Sequence, residues 1–303
     1  MLVALMSLKG SPGVTTTAVA LAAQWPDTTP QRRLVAEVDP SGGDLAMRFG
    51  LPSAPGLVSL AAAARRRCAP GRVWEHTQAL PGGARVLLAP PGAAHARAAL
   101  TTLASVPGEP LIEAAAREPG VVVLADCGRL DAGSPAEALA RRADALVLLT
   151  GTHADALAHA AARLSELARW TARPGLLLTG QGYPTSDVER ELGVPAIGRI
   201  PHDPAAAAAL AGHQTSARRR GGGLARAAAA LARTLTTPPP APAQAAPPGL
   251  AVVPGVPAQQ VRLPGGAVIR PPGPGLYRLR PVPTPQAGEP SRNGHQPGKE
   301  PRT

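Results

Sequence analysis

The chain has 303 residues, enough for one large domain or two small ones with a sizeable core. Aromatics make up 2% with a single Phe, so Leu, Val and Ala must fill that core, and two cysteines, Cys68 and Cys127, without a Cys/His cluster exclude a disulfide framework and a zinc ribbon. A formal net charge of +11 favours polyanionic partners such as nucleic acid or an acidic membrane surface, with arginine-rich drift on a solvated surface as the plain alternative.

Residues 2–6 (LVALM) predict the first strand. Residues 2–23 are apolar enough to suggest a secretory leader, but no positive segment precedes the run, and Lys9, Gly10, Pro12 and three threonines interrupt it. A reducing cytoplasm is the expected location, and no other apolar run is long enough to predict a spanning helix. Further strands are expected over 33–38, 85–89, 120–125, 145–150, 175–179 and 195–200. Helices are expected over 15–24, 56–67, 95–105, 110–118, 134–142, 153–170, 185–192, 204–212 and 223–236. Several strands are apolar throughout, as strands covered on both faces should be. The alternation predicts an α/β class fold, a three-layer α/β/α sandwich around a mostly parallel sheet.

Two helix starts are readable. Ser134-Pro135-Ala136-Glu137 has the form of a capping box with Pro at the first helical position, and Asp203-Pro204 puts an N-cap before an alanine run. The domain is expected to span 1–236. From 237 the composition turns to proline (TPPPAPAQAAPPG), which predicts a basic, disordered or extended tail over 237–303, serving as a spacer or carrying short interaction peptides.

Over residues 4–22, ALMSLKGSPGVTTTAVALA, a strand passes through a glycine-containing loop into a helix that opens with threonines. That order aims backbone N–H groups and a helix N-terminus at a phosphate, and a first-turn hydroxyl, Thr15 foremost, can ligate Mg²⁺. The loop KGSPGVTT resembles the deviant Walker A loop of the ParA/MinD group of P-loop ATPases, whose pattern is Lys-Gly-Gly-x-Gly-Lys-Thr-Thr. Lys9, Gly10, Gly13, Thr15 and Thr16 match it, while Ser11 replaces a Gly, Pro12 takes the variable place, and Val14 replaces the main phosphate lysine. Leu8 replaces the leading Gly of the general P-loop pattern.

Other segments follow in the same order. VAEVDPSGGDLAMRFGL is similar to the family's switch segment, with Asp39 at the position implied to orient attacking water and Mg²⁺ and Glu37 standing in for an earlier Asp. VVVLADCG resembles a Walker B strand that delivers Asp126 near the metal. GLLLTGQG and VPAIGRIPHDP resemble the strand and loop around the adenine, which implies Thr179, Pro201 and Asp203 there. The resemblance therefore implies ATP and Mg²⁺, cradled by Gly10, Ser11, Pro12, Gly13, Val14, Thr15 and Thr16, with metal near Thr15, Asp39 and Asp126. It also implies a nucleotide-dependent homodimer in which Lys9 reaches the phosphates of the partner subunit. The absence of G-x-G-x-x-G speaks against a dinucleotide fold.

Composition singles out Lys9: of 31 basic residues only Lys9 and Lys299 are lysines. A role for Lys9 is favoured over an idle loop lysine, since a compact ammonium on a flexible stem suits a long reach. Val14 offers no donor to phosphate oxygens, so hydrolysis is expected to be weak or absent. Cys127 reads as a small buried residue, and His76, His95, His153, His159, His202 and His213 show no metal-ligand spacing. Arg65–Arg67 and Arg218–Arg220 read as solvated runs or as non-specific DNA contacts. Helix 223–236 reads as the last core helix, with a peripheral membrane helix as the alternative.

The expected function is a nucleotide-dependent positioning or scaffold protein for DNA or a pilus/secretion apparatus, similar to CpaE/TadZ-type proteins in tolerating an altered loop. An unknown protein partner would be recruited, with the tail as one route. An active ATPase of chromosome or plasmid partition, and a nucleotide-free interaction module that keeps only the fold, are the alternatives.

Overall fold

The first strand, β1 (Leu2–Ser7), is buried along its whole length. It lies between β5 (Val121–Arg129) and β6 (Ala145–Gly151) and runs parallel to both. Its alternate side chains enter two separate cores: Leu2, Ala4 and Met6 join one apolar cluster, and Val3 and Leu5 join the other. A strand with two apolar faces is stable only where both faces are covered, and the period of two divides its side chains between them.

A computed structural model describes residues 1–26, 32–66, 70–105, 110–210 and 222–237. The expected extended tail over 238–303 lies outside the described residues, as do Cys68, Arg67, His213 and Arg218–Arg220. Beside β1, β5 and β6 stand β2 (Arg32–Glu37), β3 (Gln78–Ala79), β4 (Arg85–Leu87), β7 (Pro174–Thr179) and β8 (Ala196–Ile200). The sheet order is β3-β4-β2-β5-β1-β6-β7-β8. Among the described residues only the β3–β4 pairing is antiparallel.

On one face of the sheet pack α1 (Val14–Gln24), the short α2 (Leu45–Phe49), α9 (Pro204–Leu210) and α10 (Gly223–Thr236). The other face carries α3 (Leu57–Ala64), α4 (Ala93–Ser105), α5 (Leu111–Arg117), α6 (Glu137–Arg141), α7 (Ala154–Leu167) and α8 (Thr185–Leu192). The α/β/α sandwich expected from the sequence is thus the observed architecture, a P-loop NTPase-type α/β fold.

Local departures have local causes. The expected strand 85–89 is only β4, and it closes a hairpin with a two-residue β3 that no alternation announced. The strand expected to end at 125 continues to Arg129, carrying Asp126 inside the strand. The stretch 134–142 is helical only from Glu137. Ser134 Oγ accepts from the Ala136 N–H at 3.3 Å, and Glu137 turns to the Gly133 N–H at 2.9 Å and to Arg141 at 2.8 Å, so the capping box is replaced by a turn. At Asp203 the expected N-cap is present, its Oδ1 accepting from the Ala206 N–H at 3.1 Å.

Helix α10 buries Leu224, Ala228, Leu231, Ala232 and Leu235 in the core shared with α1. The core reading therefore holds over the membrane reading for its apolar face. Among the described residues no helix is long and apolar enough to cross a membrane. Truncating Leu231 to Ala should lower the unfolding free energy by about 2–5 kcal/mol, read as a lower urea midpoint; an unchanged midpoint would place α10 outside the cooperative core.

Candidate functional site

Between β1 and α1 the chain makes a loop that only glycine can turn cheaply. Gly10 has φ +66° and Gly13 has φ +93°, both in the left-handed region. A Cβ added to either would meet nothing within 4 Å, so the demand is conformational and the space in front of the loop is open. Gly13 is also the N-cap of α1, without a side-chain cap and with no acidic residue in the first turn. The first donor of the helix ladder is the Thr17 N–H, bound to Gly13 O at 2.8 Å. The amides of the first turn and the positive end of the helix dipole are thereby left to an external anion.

Carboxylates close the other side. Asp126 is 1% exposed, and the Gly128 N–H donates to its Oδ1 at 3.1 Å. Burial raises its pKa to about 6, while the Thr15 hydroxyl beside it pulls in the opposite direction. Asp39 accepts from the Ser41 N–H at 2.7 Å and lies flat against Gly128. A Cβ on Gly128, whose φ is +57°, would come within 1.8 Å of Asp39 Oδ2. Burial raises the pKa of Asp39 as well. Thr15, Asp39 and Asp126, which the resemblance implies near one metal, meet at the carboxyl ends of β1, β2 and β5, where open α/β sheets bind ligands.

Glu37, which stands in for the earlier Asp of the switch-like segment, is the last residue of β2. It is 1% exposed, its Oε1 accepts from the Asp44 and Leu45 N–H groups at 2.9 Å each, and its Oε2 accepts from the Ala89 N–H at 3.1 Å. Burial raises its pKa to about 7, and the charge of Asp126 adds to the rise. Gly43 is required beside it, since a Cβ there would stand 2.5 Å from Glu37 Oε2. Glu37 ties the loop after β2 to the loop after β4.

Around the opening, Lys9, Gly10 and Ser11 are exposed, and Pro12, Thr15 and Thr16 are partly so. Val14 is 5% exposed and belongs to the apolar cluster of Val3, Leu5 and Ala18. Thr179 ends β7, two strands from β1, and its buried hydroxyl donates to Thr150 O at 3.2 Å. Pro201 is exposed after β8. Besides capping α9, Asp203 accepts from the Leu224 N–H of α10 at 3.3 Å, so its carboxylate joins two helices. Cys127 is fully buried, and burial pushes its thiol well above the ordinary range, leaving it inert.

Two arginines escaped the sequence reading. Arg199 on β8 donates to Gly180 O at 3.0 Å, Tyr183 O at 2.9 Å and Thr152 Oγ1 at 3.0 Å, fastening the loops after β6 and β7. Arg48 on α2 donates to Thr16 Oγ1 at 3.3 Å and to Asp44 at 3.0 Å. Arg48 lies in the switch-like segment and Arg199 in the adenine-loop-like one, at positions to which the resemblance gives no role, and both become visible only when distant segments meet.

Among the described residues no group of three or more His, Cys, Asp or Glu could hold a metal unaided. A Thr hydroxyl and one or two carboxylates suit Mg²⁺ that arrives with a phosphate, because that ion keeps several waters and shares phosphate oxygens. The open loop, the uncapped helix end and the Thr15–Asp126 corner therefore fit a Mg²⁺-bound polyphosphate.

These features define an α/β fold of the P-loop NTPase type with an uncapped helix terminus facing open space. Solved structures of the same fold include a ParA family ATPase from Chlorobium tepidum, 18% identical, covering 77% of this chain and 98% of that one, with a TM-score of 0.61. The septum site-determining protein MinD of Pyrococcus horikoshii, complexed with Mg-ADP, is 17% identical over 78% of this chain and 95% of its own, with a TM-score of 0.62. An McdA–ATP complex from Cyanothece is 16% identical over 80% of this chain and 98% of its own, with a TM-score of 0.57. No protein-family model and no curated protein matches the sequence.

Two outcomes test this geometry. Below about pH 4 Asp126 is protonated in both states; between about pH 4 and its folded value of about 6 the folded chain keeps a proton that the unfolded chain has released, so wild-type stability falls as pH rises. Asp126→Asn should gain stability relative to wild type across that window, by at most about 3 kcal/mol, in urea titrations of the ligand-free protein. A difference independent of pH would contradict the buried, protonated Asp126. Separately, Gly128→Ala should displace Asp39 and lower the melting temperature; retention of the wild-type value would show that the two are not in contact.

Proposed function

We propose that this chain binds Mg-ATP at the N-terminus of α1 and acts as a nucleotide-dependent positioning or scaffold factor with weak or absent hydrolysis. The observation that carries this reading is the left-handed Gly10/Gly13 loop feeding an uncapped helix whose Thr15 adjoins the buried Asp126. The Mg-ADP and ATP complexes among the structures of the same fold support the choice of ligand. In this reading Thr15, Asp39 and Asp126 hold Mg²⁺ together with phosphate, and Asp39 orients water. The backbone of residues 10–16 cradles the phosphates, and the adenine lies toward Thr179, Pro201 and Asp203. Bound Mg²⁺ supplies charge neutralisation on the phosphates.

Val14 explains the weak hydrolysis, because an apolar side chain at that point gives no charge to a developing transition state. The exposed Lys9 is free of that core contact and extends across a nucleotide-stabilised homodimer to the partner's phosphates. The dimer then displays a surface for DNA, a membrane face or a pilus/secretion component. Residues 237–303 act as a separate proline-rich tether or recruiting arm. The positive charge of the chain favours anionic surfaces.

Calorimetry and light scattering on wild type, Lys9→Ala and Val14→Lys test the reading. Wild type should bind Mg-ATP and dimerise with it, Lys9→Ala should keep binding but lose the ATP-dependent dimer, and Val14→Lys should bind at least about 10-fold tighter, as one charge-assisted hydrogen bond warrants. Absence of binding in both wild type and Val14→Lys would leave only a nucleotide-free module. Steady turnover that disappears in Asp39→Ala would establish the active-ATPase alternative instead.

A further inference from the structure

We propose that Arg48, reaching over from α2 of the same chain, supplies the phosphate-gripping positive charge that the loop lacks at Val14; this rests on reading the α1 terminus as a nucleotide site. The electrostatic need is plain. A Mg²⁺-bound triphosphate keeps a net negative charge, and a helix end contributes only about half a unit of positive charge. Val14 is turned into the core and gives nothing.

Arg48 is built into position. Leu45 is fully buried in the α1-side core and anchors α2 there. The Asp44 and Leu45 N–H groups are held by Glu37, which fixes where the short helix begins. The helix stops at Gly50, whose φ of +61° ends it one turn later. One helical turn beyond Asp44, Arg48 lies against α1 with Nη1 3.3 Å from Thr16 Oγ1, bridging 32 residues of sequence. Its Nη2 pairs with Asp44 at 3.0 Å, and the two side chains are 26% and 68% exposed.

Those two contacts are a weak hold. The Thr16 bond is long, and an ion pair with so exposed a carboxylate gains little over hydration. A guanidinium carries five N–H donors in a planar fork, so two modest contacts orient it and leave donors for phosphate oxygens, a geometry that favours bidentate contact. Thr16, in the first turn, is the residue the guanidinium touches and stands beside the amides left for the anion. The positive charge is thus moved from the loop–helix junction to a facing helix that Glu37 anchors.

Calorimetry on the full chain separates this from the parent reading. Against wild type, Arg48→Ala should bind Mg-ATP about 10- to 100-fold more weakly, as expected for lost charge-assisted hydrogen bonds, and AMP should be affected far less. Arg48→Lys should recover part of the loss. In a Val14→Lys background, Arg48→Ala should matter much less, because the lysine then supplies the charge. Equal or tighter binding by Arg48→Ala overturns the inference and leaves the nucleotide site standing. Wild type that fails to bind while Val14→Lys binds also overturns it, and failure of both removes the parent reading too. If Arg48→Ala does not fold, Arg48→Gln keeps a donor for Thr16 without the charge and gives the same comparison.

Discussion

One buried carboxylate organises this site. Glu37 accepts N–H groups from Asp44, Leu45 and Ala89, so a single side chain at the end of β2 collects the loop that follows it and the loop after β4. Three backbone donors compensate for taking a carboxyl out of water, which an unpaired group could not survive. The consequences spread outward. The loop held this way carries Asp39 down onto Gly128, and the helix started this way aims Arg48 at α1. Together with Leu45 in the α1-side core and the Arg48–Thr16 bond, this clamp fixes the relation between α2 and the first turn of α1.

The same economy governs the loop itself. Gly10 and Gly13 accept left-handed backbone so that the chain can leave β1 and re-enter as a helix within six residues, and the uncapped helix end is the result. An uncapped end costs stability in an isolated protein. Here that cost faces open space and a buried Asp126, the combination expected where a ligand completes the helix. Val14 takes the opposite side of the balance, adding apolar contact to the core where a lysine would have added charge.

The parts of the fold legible in the sequence were those where physics is local. Strands such as β1, β5 and β6 are apolar on both faces, and their length and β-branching reveal them. Elements set by tertiary contact were not legible: β3 is two residues held by a hairpin, and α2 is five residues started by Glu37. Ser134 shows the limit of motif reading, because a capping pattern was satisfied as a turn when Glu137 found Gly133 and Arg141. At the site, Gly10, Gly13 and Thr15 were legible from the strand–loop–helix order and Asp39 and Asp126 through the family resemblance, and the structure brings Thr15, Asp39 and Asp126 together. The polar atoms of Thr179 and Asp203 already serve Thr150 and two helix starts. Arg48 left no mark, since its partner Thr16 lies in another element and its nearer partner Asp44 makes only an ordinary helix pair.

A Mg²⁺-bound polyphosphate held at the α1 terminus without a lysine at Val14 would shield the first-turn amides from solvent. Hydrogen–deuterium exchange of the full chain with and without Mg-ATP reads that shielding at the amides concerned. Slower exchange confined to residues 10–17 and the 126–128 segment is the predicted result. Identical exchange in those segments at millimolar Mg-ATP would contradict it.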